Sequence, residues 1–407
     1  MAALHPFRAL RPTPERAAAV AAVPYDVVNT EEARELAAGN PLSFLHVSRA
    51  EIGLPTDTHP YADAVYAAAA RNFERLRAEA PLVVDETPAL YLYKLLMGTH
   101  EQTGVAGCFS VEDYERDIIR KHERTRKDKE DDRTRHIVDL RAQTGPVFLT
   151  HPTASAVDAV AARVAGSSPL FDFTAADGVQ HTIWRVPASE GDALVAAFAA
   201  IPLLYIADGH HRAASAMRAR QVLRGQAAAG SPAEADRFLG VAFPSDQAQI
   251  LPYHRVVKDL AGHSAASLLE ALRGHVGVGP GSDTPRGPGE VAMYLGGEWH
   301  AVTLAPAPPG AAPADRLDVA RLHEQVLAPL LQVGDVRVDK RIDFVGGIRG
   351  PGALARLVDE GRAAVAFAMH PVGVGDLMAI ADAGGIMPPK STWFEPKLRD
   401  GLLTHLI

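Results

Sequence analysis

The chain has 407 residues, 47% of them apolar and 22% charged, with a formal charge of −8 at pH 7. That length exceeds one ordinary core and predicts two or three packed units, while the apolar fraction excludes wholesale disorder. The acidic excess argues against a nucleic-acid partner, and a single cysteine, Cys108, excludes a disulfide framework or a cysteine-built zinc or iron–sulfur site within the chain.

From the N-terminus, no cationic-then-apolar leader pattern and no bilayer-length apolar run occurs, so a cytoplasmic protein with no membrane attachment is expected. Val23-Pro24-Tyr25-Asp26-Val27-Val28 places Asp26 after a rigid turn, either a plain turn or part of a substrate site. Residues 89–96 and 105–111 alternate apolar and polar groups across Gly98-Thr99-His100, which predicts a hairpin. Ser110-x-x-Asp113 then marks a helix start, with Tyr114, Ile118 and Ile119 as its apolar stripe. If that helix runs on, His122 and Glu123 fall one turn after Ile118 and Ile119. They would extend the core-facing stripe as a pocket wall. The competing reading is a salt-bridged helix end that leads into the charge run 126–135, itself read as a solvated or mobile segment.

Further on, the pattern predicts a helix over 155–165 capped by Ser155, a hairpin over 169–186 turning at Asp177-Gly178, and a helix over 192–200. The apolar run 202–207 predicts a buried strand that feeds Asp208-Gly209-His210-His211-Arg212 and a long Ala-rich helix. Beyond His254 the pattern restarts: a helix over 265–276, a hairpin at Gly296-Gly297, a helix over 319–331, then strand, helix and strand ending near Met369. The fold class is therefore α/β (mixed α+β). The expected division is 1–260, 261–370 and a C-terminal segment 371–407 that packs back on the body.

The strand ending at Gly209 leaves free N–H groups at a helix mouth, where the dipole favours an anion by roughly 0.3–1 kcal/mol. Arg212 offers a planar fork for phosphate, His210 and His211 can donate hydrogen bonds, and Ala213, Ala214 and Ser215 leave room for a ligand. Asp208 is placed to hold Mg²⁺ or to accept a proton from a hydroxyl. The plainer reading is an N-cap aspartate with a solvated first turn. Zinc held by His210 and His211 is disfavoured, because adjacent helix residues diverge by about 100°. In Lys121-His122-Glu123-Arg124-Thr125, Glu123 is a candidate base, Lys121 or His122 would steady a transferred group, and Lys121 and Thr125 would contact phosphate. Leu251-Pro252-Tyr253-His254-Arg255 reads first as a structural strand start, while the stretch 387–397 closes over a nucleotide, binds a substrate carboxylate or staples the C-terminus to the core. Arg255, Lys390 and Lys397 are the candidates for a carboxylate, with Ser391 a further substrate-binding candidate. No Gly-x-x-x-x-Gly-Lys-Ser/Thr loop, dinucleotide fingerprint or Gly-x-Ser-x-Gly elbow is present.

The Asp208–Arg212 box resembles the phosphate-binding turn of the ParB/sulfiredoxin superfamily, which includes free-serine kinases. Over nearly its whole length the chain also resembles a prokaryotic domain-of-unknown-function family. That resemblance rests on Pro24-Tyr25-Asp26-Val27, Arg120-Lys121-His122-Glu123-Arg124-Thr125, the box, Leu251-Pro252-Tyr253-His254-Arg255 and 387–398. It implies a ParB/sulfiredoxin-like nucleotide-binding core elaborated by a second α/β unit. The implied activity is phosphoryl transfer from ATP or ADP, with Mg²⁺, to a small metabolite such as free L-serine. His210 stands where sulfiredoxin has its catalytic cysteine, so sulfinic-acid repair is not implied. The alternatives are a non-catalytic nucleotide-binding switch or scaffold and a phosphate-ester hydrolase. A homodimer is compatible with any of these.

Overall fold

The computed structural model describes residues 2–80, 82–226 and 233–407. The architecture is mixed α/β, and the chain divides into two compact units. The first runs to Ala248 and resumes with Pro396–Ile407; the second is Gln249–Glu395. The boundaries expected near 260 and 370 therefore move. Tyr253–Val257 pairs with Ile342–Gly346 and Val365–Ala368, which assigns it to the second sheet. Thr404–Leu406 pairs with Ala9–Arg11 and Ala142–Gln143, which assigns the end of the chain to the first unit.

In the first unit the main sheet has the order Ile119–Arg120, Leu204–Asp208, Val147–His151, Arg237–Pro244, His100–Ser110, Tyr91–Met97, Gln180–Arg185, Phe171–Thr174. Most pairs are antiparallel, but Ile119–Arg120 runs parallel to Leu204–Asp208 and Val147–His151 parallel to Arg237–Pro244. The two expected hairpins form, turning at Gly98-Thr99 and around Asp177-Gly178, where Gly178 takes a positive φ of 81°. Val105, Phe109, Leu149, Ile206 and Phe238 of the sheet form one buried core cluster with helix residues such as Phe198 of Ala188–Ala199. A second cluster gathers Leu10, Phe44, Leu45, Phe73 and Leu76 around the long helix Asp63–Glu79.

Three helical expectations change in the first unit. The helix capped by Ser110 stops at Glu115, and Asp117 adopts a left-handed φ of 55° that turns the chain into the Ile119–Arg120 strand. The charge run is not a solvated or mobile segment: Lys127–Leu140 is a helix with Asp132, Thr134, His136, Ile137 and Leu140 buried. Ser155 is the first residue of its helix and Ala154 the cap residue, with no side-chain cap bond.

The second unit is built on an antiparallel sheet in the order Gly277–Pro280, Glu298–Thr303, Glu290–Leu295, Val365–Ala368, Tyr253–Val257, Ile342–Gly346. Val256, Ala292, Leu354, Ala366 and Ala368 form part of its core, with Pro351–Asp359 covering one face. The helix expected over 319–331 is shorter. Asp318–Leu322 passes into a π-helical turn at His323–Leu327.

Candidate functional site

Leu204, Tyr205, Ile206 and Ala207 are buried, as an apolar run between two paired strands requires. The register shifts between Ile206 and Asp208, a bulge that re-aims the strand end just before the box. Gly209 follows with φ of 95°, and the helix His210–Gln226 begins at the next residue. A β-carbon at position 209 would stand 3.1 Å from Arg212 Cζ, so glycine is required both for the turn and for the guanidinium folded over it. Gly209→Ala is expected to destabilise the first unit by about 1–3 kcal/mol in urea unfolding. A neutral substitution would show that Arg212 does not need this space.

Arg212 is buried. Its Nη1 donates to the carbonyl of Pro146, and Nη2 lies 3.6 Å from both Asp26 Oδ2 and Asp208 Oδ2. Arg212 Nε and Nη2 have no hydrogen-bond partner among the described residues. Burial alone would lower this cation's pKa, but Asp26 and Asp208 hold it firmly charged. Asp208 also receives Lys397 Nζ at 3.1 Å. Although burial pulls the other way, Lys397 and Arg212 keep the Asp208 carboxyl well below the usual carboxylate range.

His210 is buried, and burial holds its pKa well below the ordinary value. Its Nδ1 lies 3.9 Å from Glu123 Oε2, and its Nε2 accepts a long 3.4 Å bond from the His122 backbone N–H. His122 is 2% exposed, and burial lowers its pKa to about 4. His211 Nε2 accepts from the Arg126 backbone N–H at 3.0 Å, satisfying an amide at the start of the Lys127–Leu140 helix. Thus residues 122 and 123 do meet the box, but by strand pairing and not by the helical stripe expected from the sequence.

Several expected roles meet competing contacts. Lys121 Nζ donates to the Tyr114 carbonyl, pairs with Asp117 at 2.6 Å and lies over the Tyr114 ring, holding its own loop instead of facing the box. Thr125 donates to Glu130. Lys397 is committed to Asp208, so its expected role with a substrate carboxylate would first require that pair to open. Ser215 donates to the Glu130 carbonyl and Arg218 pairs with Glu130 at 3.2 Å, so the small residues after the box bring two helices together and do not admit a ligand. In the second unit, Arg255 Nη1 donates to the Tyr253 carbonyl at 2.5 Å and Nη2 to the Lys390 carbonyl at 3.2 Å; burial lowers its pKa to about 10. Lys390 Nζ lies 5.3 Å from the Tyr253 ring centre, and Ser391 donates to the Pro388 carbonyl. These contacts close a loop.

Sequence reasoning missed the cavity of the first unit. A volume of about 340 Å³ opens among Asn29, Thr30, Arg49, Glu51, Tyr61 and Arg133, within the size range of small-molecule sites of roughly 300–1,000 Å³. Arg133 lies 4.1 Å over the Tyr25 ring and pairs with Asp132 at 2.8 Å. Tyr25, Arg133 and His136 also wall a second space of about 30 Å³ that touches Arg212 and Asp400. The expected open cavity at the box is therefore small, with room for about one water. A charge run and a short turn give no local sign of a cavity that forms only when four separate segments meet.

The chain belongs to the family described as "Protein of unknown function (DUF1015)", which it matches over residues 4–320. No curated protein matches it. Among solved structures it is similar to a free serine kinase in complex with AMP, at 12% identity and a TM-score of 0.34, covering 74% of this chain and 92% of that one. It is also similar to a conserved hypothetical protein from Pyrococcus furiosus, at 14% identity and a TM-score of 0.33, covering 74% and 94%. A third is C-terminally truncated SbnI from Staphylococcus aureus, at 12% identity and a TM-score of 0.37, covering 72% and 85%. At such scores the likeness decides nothing about the site. Among the described residues, no helix is long and apolar enough to cross a membrane.

Proposed function

We propose that the chain is a nucleotide-dependent phosphotransferase that moves a phosphoryl group from ATP or ADP to the hydroxyl of a small metabolite. Free L-serine is the leading acceptor, and it enters from the sequence resemblance to free-serine kinases of the ParB/sulfiredoxin superfamily. The observation that carries the reading is Arg212, a buried, charged guanidinium at a strand-to-helix turn with two donors unbonded among the described residues. Anionic oxygens could engage Nε and Nη2 without breaking a hydrogen bond, and the helix start would add its dipole. The small space beside Arg212 means that phosphate binding entails a local shift. The guanidinium exchanges its 3.6 Å carboxylate contacts for phosphate oxygens, and the neighbouring cavity of about 340 Å³ supplies room for the rest of a ligand.

Glu123 is favoured over Asp208 as the base. Asp208 is fixed in its ionised form by two cations and has little proton affinity, whereas Glu123 is more than half exposed and stands beside His210. His122 and His210 would orient Glu123 and the transferred group. His211 and Asp26 would adjust around the phosphates. Mg²⁺ does not fit Asp208, since Lys397 and Arg212 already face the same oxygen, and no step is routed through that ion.

The test is incubation with ATP or ADP and a pool of hydroxylated metabolites that includes L-serine, read by mass spectrometry and by calorimetric nucleotide titration. Glu123→Gln is expected to lower kcat about 10²–10⁴-fold with nucleotide affinity unchanged. Arg212→Lys is expected to weaken nucleotide binding. Tight nucleotide binding without any phosphorylated product would replace the enzyme by a switch or scaffold, and neither binding nor product would overturn both.

A further inference from the structure

We propose that His122, His210 and Glu123 form a site for a divalent transition metal, Zn²⁺, which shares residues with the proposed phosphoryl-transfer site but does not depend on that reading. The three residues come together for a topological reason. Ile119–Arg120 and Leu204–Asp208 are parallel neighbours, so the chain leaves both strands in the same direction. His122 and His210 each stand two residues past a strand end, and their rings meet edge to face with centres 4.4 Å apart. Glu123 closes the group from the solvent side, its Oε2 3.9 Å from His210 Nδ1.

One ligand atom from each residue lies within 4.8 Å of the others. Ligands about 2.1 Å from a four-coordinate ion stand about 3.4 Å apart, so the group closes by up to about 1.4 Å on binding. The Glu123 side chain, 53% exposed, is the member of the group that rotates to make this closure. Two imidazoles and one carboxylate are the protein donors of open four-coordinate zinc sites, which keep a fourth position for water or a ligand.

The independent observation is His122. It is almost wholly buried; its ring faces the Ile206 backbone too loosely for a well-formed hydrogen bond, and neither ring nitrogen has another partner among the described residues. An unsatisfied buried polar group is costly, and a bond from one of these nitrogens to a metal would offset that cost. Both imidazoles are held neutral by burial, the form that offers a lone pair. At His210 the metal would take Nδ1 and leave the ring proton on Nε2. The 3.4 Å contact from the His122 amide, long for a hydrogen bond, is what gives way. Nearby Arg212 and Lys397 do not make the locality cationic, because Asp26 and Asp208 balance them.

The test is titration of chelator-stripped full chain with Zn²⁺ against a chromophoric competitor, and with Co²⁺ followed by its visible ligand-field bands. Neither readout needs turnover, so failure here is separate from failure of the phosphotransferase reading. The expected result is one ion per chain, with His211→Ala unchanged. His122→Phe, which keeps a ring in the buried space, should bind at least about 100-fold more weakly, the upper end of what even outer-shell partners cost. Glu123→Gln, on the exposed side, should weaken binding without disturbing the core. Absence of wild-type binding, retention in both His122→Phe and Glu123→Gln, or equal loss in His211→Ala would each overturn the site. A metal on Glu123 also withdraws the proposed base, so bound zinc should suppress any phosphoryl transfer that a chelator restores.

Discussion

Arg212→Ala is expected to lower the stability of the first unit by about 3–5 kcal/mol, the range for removing one partner from a buried ion pair. The guanidinium stands between Asp26 and Asp208 at 3.6 Å from each and ties the turn to the Pro146 carbonyl. Without it, Lys397 still compensates Asp208, but Asp26 loses its cation and Asp400 loses a nearby positive field. Arg212→Lys keeps the charge and loses the planar fork, so its cost should be smaller, about 1–3 kcal/mol. The measurement is urea unfolding followed by Trp184, the tryptophan of the first unit, in a background carrying Trp299→Phe and Trp393→Phe. A loss below about 1 kcal/mol for the alanine variant would show that the carboxylates do not depend on this cation. Because the alanine variant strains folding, Arg212→Lys is the one to use for binding measurements.

The strand and the box were legible because their signals are local. An apolar run followed by glycine and a polar, helix-forming stretch permits few structures, and the chain adopts a buried strand, a left-handed glycine and a helix. The charge run was misread for an equally physical reason. Its buried side is polar, satisfied by Tyr66 bonding Asp132, by the Asp132–Arg133 pair and by His136 at the Val47 carbonyl, so no apolar stripe advertises the helix.

The partners of the box were partly hidden. Lys397 and Asp400 come from the end of the chain, and nothing near them in sequence says that they approach residue 212. The route by which Glu123 reaches His210 is set by a two-residue parallel strand, too short for periodicity to reveal. Legible spacing gave the right neighbours for residues 122 and 123 through the wrong element. The roles of the histidines depend on ring orientation and burial, which spacing does not carry.

Asp400→Asn is expected to stabilise the first unit increasingly as pH rises. Asp400 is buried, its backbone is paired with Ala22, and its Oδ1 packs so tightly on Gly145 that a β-carbon there would lie 2.5 Å away. Burial pushes its carboxyl up to about 7, with Asp26 adding to the rise and Arg212 opposing it; that cation is already shared by two other carboxylates. An unfolded aspartate releases its proton near pH 3.9. Between about pH 4 and 7 the folded chain therefore holds a proton that the unfolded chain has lost, and stability falls across that window as pH rises. Three pKa units correspond to an upper bound of about 4 kcal/mol. Asparagine mimics the protonated carboxyl and carries no such dependence. The variant should match wild type near pH 4, exceed it progressively to about pH 7, and hold a constant advantage above. Urea unfolding at pH 4, 6 and 8 with the same Trp184 reporter measures the difference. An asparagine variant that is instead less stable at pH 8 would mean that Asp400 is ionised and belongs to the ion pairs of Arg212, which would make it a third fixed anion at the box.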